Sequence, residues 1–381
     1  MADERSEVFQ FLKKLVSFDS VDGNEKGISD FLAQYTAGLG MEVEQPEVLP
    51  GRPNIVARKT FGKGGKTVLL NAHIDVVPPA DGWDSDPYTL TVREGKAYGR
   101  GACDDKGGLA CLTIAMKRLI ENPQGVNGTI LYTGVVDEEA NSRGARALVD
   151  SGIQADYAII GEPTMSQPAI AHNGSIRPVI AIHGLAAHAS NPERGVSAIR
   201  VAAYLSTLVD EIAREIAQIR HPTTGRPAIS ITMIQGGLQE NVLPDYCRLT
   251  IDRRMVPGED EEAIKARFEK LCADTQAAFP GSRVEIDHYI MTTGPASQVE
   301  PDSEIARICY DAYRQVTGKE PEVFGLTCNT DMNHFVRAGI PTVIIGPGTI
   351  QVAHQPNEHV DLEQLDQTLA LDEAVLRAML R

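Results

Sequence analysis

The stretch TVLLNAHIDVVP, residues 67–78, opens on a short, mostly apolar run at 67–71, after which His73 and then Asp75 appear. A short run of this kind is the pattern of a strand buried on both faces, as in a parallel sheet covered by helices. The pattern returns on either side, with apolar runs at 54–57, 129–136, 157–160 and 342–345. Helical spacing falls between several of them, at 108–120 and 143–151. It also precedes them, around 28–35 and at about 5–17, where Val8, Phe9, Phe11, Leu12, Leu15 and Val16 recur. Strands alternating with helices predict an α/β domain with a mostly parallel central sheet.

The middle of the chain breaks this rhythm. Strand-like 176–183 is followed by a helical stretch from about 195 to 219, strand-like 228–234 and 245–255, a charged helix near 260–276, and strand-like 283–289. The order β-α-β-β-α-β is the ferredoxin-like split unit, complete in itself. It predicts an inserted α+β domain at 175–290 and a discontinuous first domain formed by 1–174 and 291–381.

Composition narrows the class of function. The 381 residues carry 36 Lys and Arg against 52 Asp and Glu, a formal charge of −16. That balance repels nucleic acid and anionic membrane surfaces, and no window approaches the ~20 apolar residues of a membrane span. The six cysteines include no CxxC pair, and the length does not suggest a disulfide scaffold. Free thiols and a charged N-terminus without an apolar leader predict a cytoplasmic protein.

In open α/β sheets, ligands gather outside the carboxyl ends of the strands. Acids and histidines at those points therefore carry the chemical argument. His73 and Asp75 follow the first run. Asp104 and Asp105 sit in the glycine-rich turn of AYGRGACDDKGGLACL (97–112), ahead of an apolar helix. Asp137, Glu138 and Glu139 follow the apolar run in ILYTGVVDEEANSRG (130–144), Glu162 follows YAII in YAIIGEPT (157–164), and His354 follows the last run in GPGTIQVAHQPNEHV (346–360). Each has a plainer account when read singly: a core histidine beside a surface aspartate, acids that cap a helix, or a solvated loop. Together they place two histidines and at least three acids at four strand ends and one adjacent turn. Two histidines and three carboxylates can hold two zinc ions if one carboxylate bridges, and a further carboxylate can move the proton of an attacking water. Asp75, two residues beyond His73 in extended chain, points the same way and can accept the imidazole N–H.

These segments together resemble the M20 metallopeptidase family, which includes acetylornithine deacetylases, succinyl-diaminopimelate desuccinylases, aminoacylases and glutamate carboxypeptidases. The resemblance spans nearly the whole chain, and the combination of HIDVV, GRGACDDKG, DEE, GEP and HQPNE is specific to it. It implies a zinc-peptidase-like catalytic domain with two zinc ions, for which cobalt or manganese can substitute, and an inserted lid and dimerisation domain. By the same resemblance, His73 and Glu162 hold one metal, Glu139 and His354 the other, and Asp104 bridges them. Glu138 is the general base, Asp75 orients His73, and the Asp104–Asp105 peptide is cis.

The inserted domain carries further matches. AIHGLAAHASNPERGVSAI (181–199) resembles the family's lid segment, in which His188 reaches the substrate carbonyl, from the partner subunit in dimeric members. GGLQENVLPDYCRLTIDRRMVPGE (236–259) resembles the segment whose Asn and Arg, here Asn241 and Arg254, bind substrate. A guanidinium suits a carboxylate. FGLTCNTDMNHF (324–335) belongs to the region that shapes the substrate pocket; Thr330 and Asp331 receive no role from the sequence, and Cys328 reads as a packing residue.

The resulting expectation is a di-zinc amidohydrolase acting on a small N-acyl amino acid, of the acetylornithine deacetylase or succinyl-diaminopimelate desuccinylase type, assembled as a homodimer through the inserted domain. A dipeptidase or carboxypeptidase of the same family is the alternative. A metal-binding protein without catalysis is the third reading, and the intact Glu138 argues against it.

Overall fold

The computed structural model describes residues 6–381. Residue 5, the first of the expected N-terminal helix, lies outside that range. The helix itself runs Glu7–Val16, capped by the Ser6 hydroxyl, with Val8, Phe9, Phe11, Leu12, Leu15 and Val16 buried.

The chain forms two units. The first is made by the chain up to Ala171 together with Gln298–Leu326 and Thr330–Arg381; the second by His172–Ser297 together with Thr327–Asn329. In the first unit, strands Gly128–Val135, Lys66–His73, Tyr157–Ile160 and Thr342–Ile344 lie side by side in that order, all parallel. Gly128–Val135 and Tyr157–Ile160 are buried at every position, which is why their sequences are mostly apolar rather than alternating. The registers His73↔Val135, Asn71↔Ile160 and Ile344↔Ile160 bring the carboxyl ends of the strands to one edge. Whatever follows each strand therefore converges there. Outside this core the sheet is antiparallel, with Ile55–Phe61 against Gly128–Val135 on one side and Ala169 against Ile344 on the other.

Helix Lys106–Glu121 buries nearly every residue of its first three turns, from Lys106 to Met116. Gly108 permits its close approach: a Cβ there would stand 1.7 Å from the Gly161 carbonyl oxygen, just before Glu162. A side chain larger than hydrogen would push the helix start, and the turn that precedes it, away from the sheet.

The second unit is a four-stranded antiparallel sheet in the order Ala228–Gly236, Tyr246–Met255, Gly174–His183, Arg283–Ile290. With helices Ala198–Ile216 and Glu261–Ala278 this is the ferredoxin-like β-α-β-β-α-β unit. Ser197 and Asp260 cap the two helices with side-chain oxygens. Val201, Leu205, Val209, Phe268 and Leu271 from the helices close on Ile180, Ile182, Leu249 and Ile251 from the sheet. Truncating one of these, Leu205→Ala for example, costs about 2–5 kcal/mol. No described helix is long and apolar enough to cross a membrane.

Candidate metal centre and active site

The carboxyl edge of the parallel strands gathers His73, Asp104, Glu138, Glu139, Glu162 and His354. His73 is the last residue of its strand; its Nε2 lies 2.9 Å from Asp104 Oδ1 and 4.0 Å from Glu162 Oε1. His354 Nε2 lies 3.3 Å from Asp104 Oδ2 and 2.9 Å from Glu139 Oε2. Asp104 thus turns one carboxylate oxygen to each imidazole. Ligand atoms of His73, Asp104 and Glu139 lie within 4.8 Å of one another, as do those of His73, Glu138 and Glu162. Glu138, expected as a base, stands within ligand range of the second group. The Asp104–Asp105 peptide is cis.

Burial drives Glu138 well above the usual carboxylate range, with His73 opposing and Asp331 adding to the rise. Burial and the neighbouring Asp104 raise Glu139 to about 7, and burial, Asp104 and Glu138 raise Glu162. Asp104 moves the other way: burial opposes ionisation, yet hydrogen bonds from His354 and His73 keep it below the ordinary value. His354, bonded to Asp104 and Glu139, rises to about 10. Two imidazoles among this many buried carboxyls leave an excess of negative charge once the acids ionise. A divalent cation compensates such an excess. Glu139 Oε1 is in addition buried with no hydrogen-bond partner. The donors are imidazole nitrogen and carboxylate oxygen, a set that suits zinc.

The loop that carries Glu138 and Glu139 is held by several contacts. Asp75 Oδ1 and Oδ2 accept the backbone N–H groups of Glu138 and Glu139 at 3.2 and 3.0 Å. Asp75 therefore differs from its expected use. Its main-chain carbonyl, 3.0 Å from His73 Nδ1, orients the imidazole, while the carboxylate stands 3.6 Å away. The chain stays extended past the strand, with Ile74 N–H donating to the Val135 carbonyl and Val76 N–H to the Ser20 carbonyl, while the Asp75 carbonyl takes the ring N–H and its carboxylate reaches the neighbouring loop.

Glu358 is a contributor that the sequence reading left out. Its Oε1 accepts the N–H groups of Cys103 and Asp104 at 2.9 and 3.0 Å, and its Oε2 pairs with buried Arg100 at 2.5 Å. It lies four residues after His354 in HQPNEHV, so one short segment supplies His354 and also secures the Asp104 turn. Its place in the motif was the available signal; its partners, about 250 residues upstream, were not legible locally.

His188, Asn241 and Arg254 belong to the second unit. Strand Ala187–His188 pairs with Val242–Leu243, with His188 opposite Val242, and the Ala189 N–H donates to the Asn241 carbonyl at 2.9 Å. This ribbon brings His188 and Asn241 together, both exposed. The Arg254 Nε donates to Asp252 at 2.7 Å, and its guanidinium reaches Asn329 at 3.5 Å. Thr330 is buried and its hydroxyl accepts the N–H of Met332, a local cap at the start of helix Met332–Arg337.

Such an edge can polarise a carbonyl and move a proton beside it, the work of a metal-dependent hydrolase of amide bonds. The sequence model of peptidase family M20/M25/M40 matches residues 69–378, and the chain belongs to that family. Its metal dependence follows from the same membership. The chain is 31% identical over 376 residues to an acetylornithine deacetylase of Aliivibrio salmonicida, covering 96% of each chain. It is 31% identical over 361 residues to that of Proteus mirabilis, covering 92% of this chain and 89% of the relative. Among solved structures, a tripeptidase from Staphylococcus aureus superposes with a TM-score of 0.81 at 24% identity, covering 100% of this chain and 98% of that one. An M20 family metallo-carboxypeptidase from Sulfolobus solfataricus gives 0.79 at 18% identity, covering 98% and 99%. At these identities the structural likeness establishes the shared fold.

Proposed function

We propose that this protein is a di-zinc deacylase that hydrolyses the amide bond of a small N-acyl amino acid. The observation that supports it most is Asp104, whose two carboxylate oxygens face His73 at 2.9 Å and His354 at 3.3 Å, the disposition a bridging ligand needs. In this reading His73, Asp104 and Glu162 would hold one ion and His354, Asp104 and Glu139 the other. The metal, when bound, supplies a Lewis acid and an acidified water. Glu138 would take a proton from the attacking water and return it to the leaving amine. His188 donates to the developing oxyanion, and Asn241 and Arg254 hold the substrate, Arg254 at a carboxylate.

The acyl-amino-acid substrate class rests on the acetylornithine deacetylase relatives, which match over nearly the full chain. A homodimer is part of the proposal. Strand Ala228–Gly236 is an edge strand, and Met233, Ile234 and nearby Leu238 are 53%, 56% and 89% exposed. Unpaired apolar edges of this kind are natural dimer seams. Six free thiols, five of them buried, support a reducing, cytoplasmic setting.

The test is hydrolysis by zinc-loaded enzyme across N-acetylornithine, N-succinyl-diaminopimelate, other N-acyl amino acids and dipeptides, with a chelated control. Chelator-sensitive cleavage confined to N-acyl amino acids is the expected result. Cleavage confined to dipeptides transfers the assignment to the peptidase members of the family.

A further inference from the structure

Asp331 is buried, is neither ligand nor base in the chemistry above, and sits at the centre of a hydrogen-bonded chain. Its Oδ1 accepts from the Ser142 hydroxyl, and its Oδ2 accepts from Asn71 Nδ2 at 3.3 Å. The Asn71 amide is itself oriented, because its Oδ1 accepts from the Thr133 hydroxyl at 2.8 Å. With the Ser142 proton given to Asp331, His334 Nε2 at 2.9 Å is the donor to Ser142 Oγ. Thr133, Asn71, Ser142 and Asp331 are all buried.

The ends of this chain explain its use. Asn71 lies two residues before His73 on the same strand. Ser142 ends the loop that carries Glu138 and Glu139. That loop closes on itself, with the N–H groups of Asn141 and Ser142 both donating to the Asp137 carbonyl. Asp137 and Ser142 both have left-handed backbone, at φ 68° and 55°. A non-glycine residue held there needs its surroundings to hold it. Asp75 secures the loop at Glu138 and Glu139, and the side chain of Ser142, through Asp331 and Asn71, ties its far end to the His73 strand.

We propose that Asp331 is a positioning residue, which through Ser142 and Asn71 sets the placement of Glu138 and Glu139 relative to His73. The proposal rests on the reading of Glu138 as base and Glu139 as ligand. Asp331 acts by accepting two hydrogen bonds, so exchanging the two partners preserves the device. In Asn71→Asp with Asp331→Asn, Asp at 71 accepts from Thr133 and from the new amide, whose oxygen accepts from Ser142.

The experiment compares Asp331→Asn, the double exchange and Ser142→Ala, by zinc titration against a competing chelator and by kcat and KM. Asp331→Asn should weaken one zinc site and lower kcat, each by about 10–100-fold, as loss of outer-shell partners does, with KM within about threefold. Ser142→Ala should move both in the same direction, which keeps the test open if Asp331→Asn folds poorly. The double exchange should recover most of the zinc affinity and kcat. Unchanged zinc affinity and kcat in Asp331→Asn and Ser142→Ala overturn the proposal. So does a double exchange that folds and remains as impaired as Asp331→Asn. Glu139→Gln serves as the reference: if it binds two zinc ions as tightly as the parent, the assignment of Glu139 falls first and the proposal falls with it.

Discussion

His73 points its Nδ1 at the backbone carbonyl of Asp75, 3.0 Å away, so the main chain just past the strand selects the imidazole tautomer and leaves Nε2 facing Asp104 at 2.9 Å. The Asp75 carboxylate is then a clamp on the loop of the two glutamates. Asp75→Asn keeps the carbonyl and replaces one acceptor oxygen with an amide that cannot accept. The expected outcome is a kcat loss of about 10–100-fold, with affinity for the metal at His73 close to that of the parent. Chelator-competition titration beside steady-state kinetics checks it. A larger loss of metal than of kcat would return the carboxylate to a role on the imidazole.

Glu138→Gln removes the group proposed to move the proton while keeping its size. Turnover should fall by about 10²–10⁴-fold, with both metals retained by elemental analysis. Substantial activity in the metal-loaded variant would assign the base elsewhere.

Removing metal should destabilise the protein as well as silence it. Without a cation the buried carboxyls of Glu138, Glu139 and Glu162 must stay protonated or repel one another. A ligand present at about 1,000 times its Kd stabilises the folded state by roughly 4 kcal/mol. Chelation should therefore lower the Tm by several degrees, zinc should restore it, and Glu139→Gln should narrow the gap. Scanning calorimetry of apo and reloaded protein reads this directly.

Asp372 offers a pH test away from the metal centre. It is buried in helix Leu362–Met379 with neither carboxyl oxygen hydrogen bonded. Burial, with a smaller contribution from Asp105, drives its pKa well up. Cys111 and Cys309, buried thiols on helices Lys106–Glu121 and Glu304–Thr317, are raised by their own burial and by Asp372. An acid with a raised folded pKa stabilises the fold fully below its unfolded pKa, about 4, and loses that stability as pH rises through the folded value. Asp372→Asn removes this dependence. Its advantage in urea midpoint over the parent should be larger at about pH 8 than at about pH 5. An advantage that shrinks with rising pH would mean that Asp372 is ionised in the fold.

The edge strand Ala228–Gly236 supplies the last test. Ile234→Lys places a charge on the exposed apolar seam, an established way of blocking edge pairing. Sedimentation should show a dimer for the parent and a monomer for the variant, with the Tm of the variant within a few degrees. A parent that sediments as a monomer at micromolar concentration removes the dimer from the proposal.

The α/β architecture was legible because its parallel strands are covered on both faces. Each is centred on a short apolar run, and acids or a histidine follow closely on the runs that end near His73, Asp137 and Glu162. The residues that converge on the centre are therefore the ones adjacent to those runs, and His73, Glu138, Glu139 and Glu162 could be picked out locally. The β-α-β-β-α-β order of the second unit was legible from strand-like segments flanking two helical ones, of which Ala198–Ile216 carries an apolar stripe and Glu261–Ala278 is largely charged. Tertiary structure alone decided the partners. Glu358 is joined to Arg100 and the Asp104 turn across about 250 residues, Asp331 to Asn71 and Ser142 across 260 and 189, and Asp75 to the Glu138–Glu139 loop across more than 60. Polar side chains at strand ends have several acceptors within reach of a sequence argument. Hydrogen bonds are short and directional, so which partner is taken depends on tenths of an ångström that only the packed sheet and its turns determine.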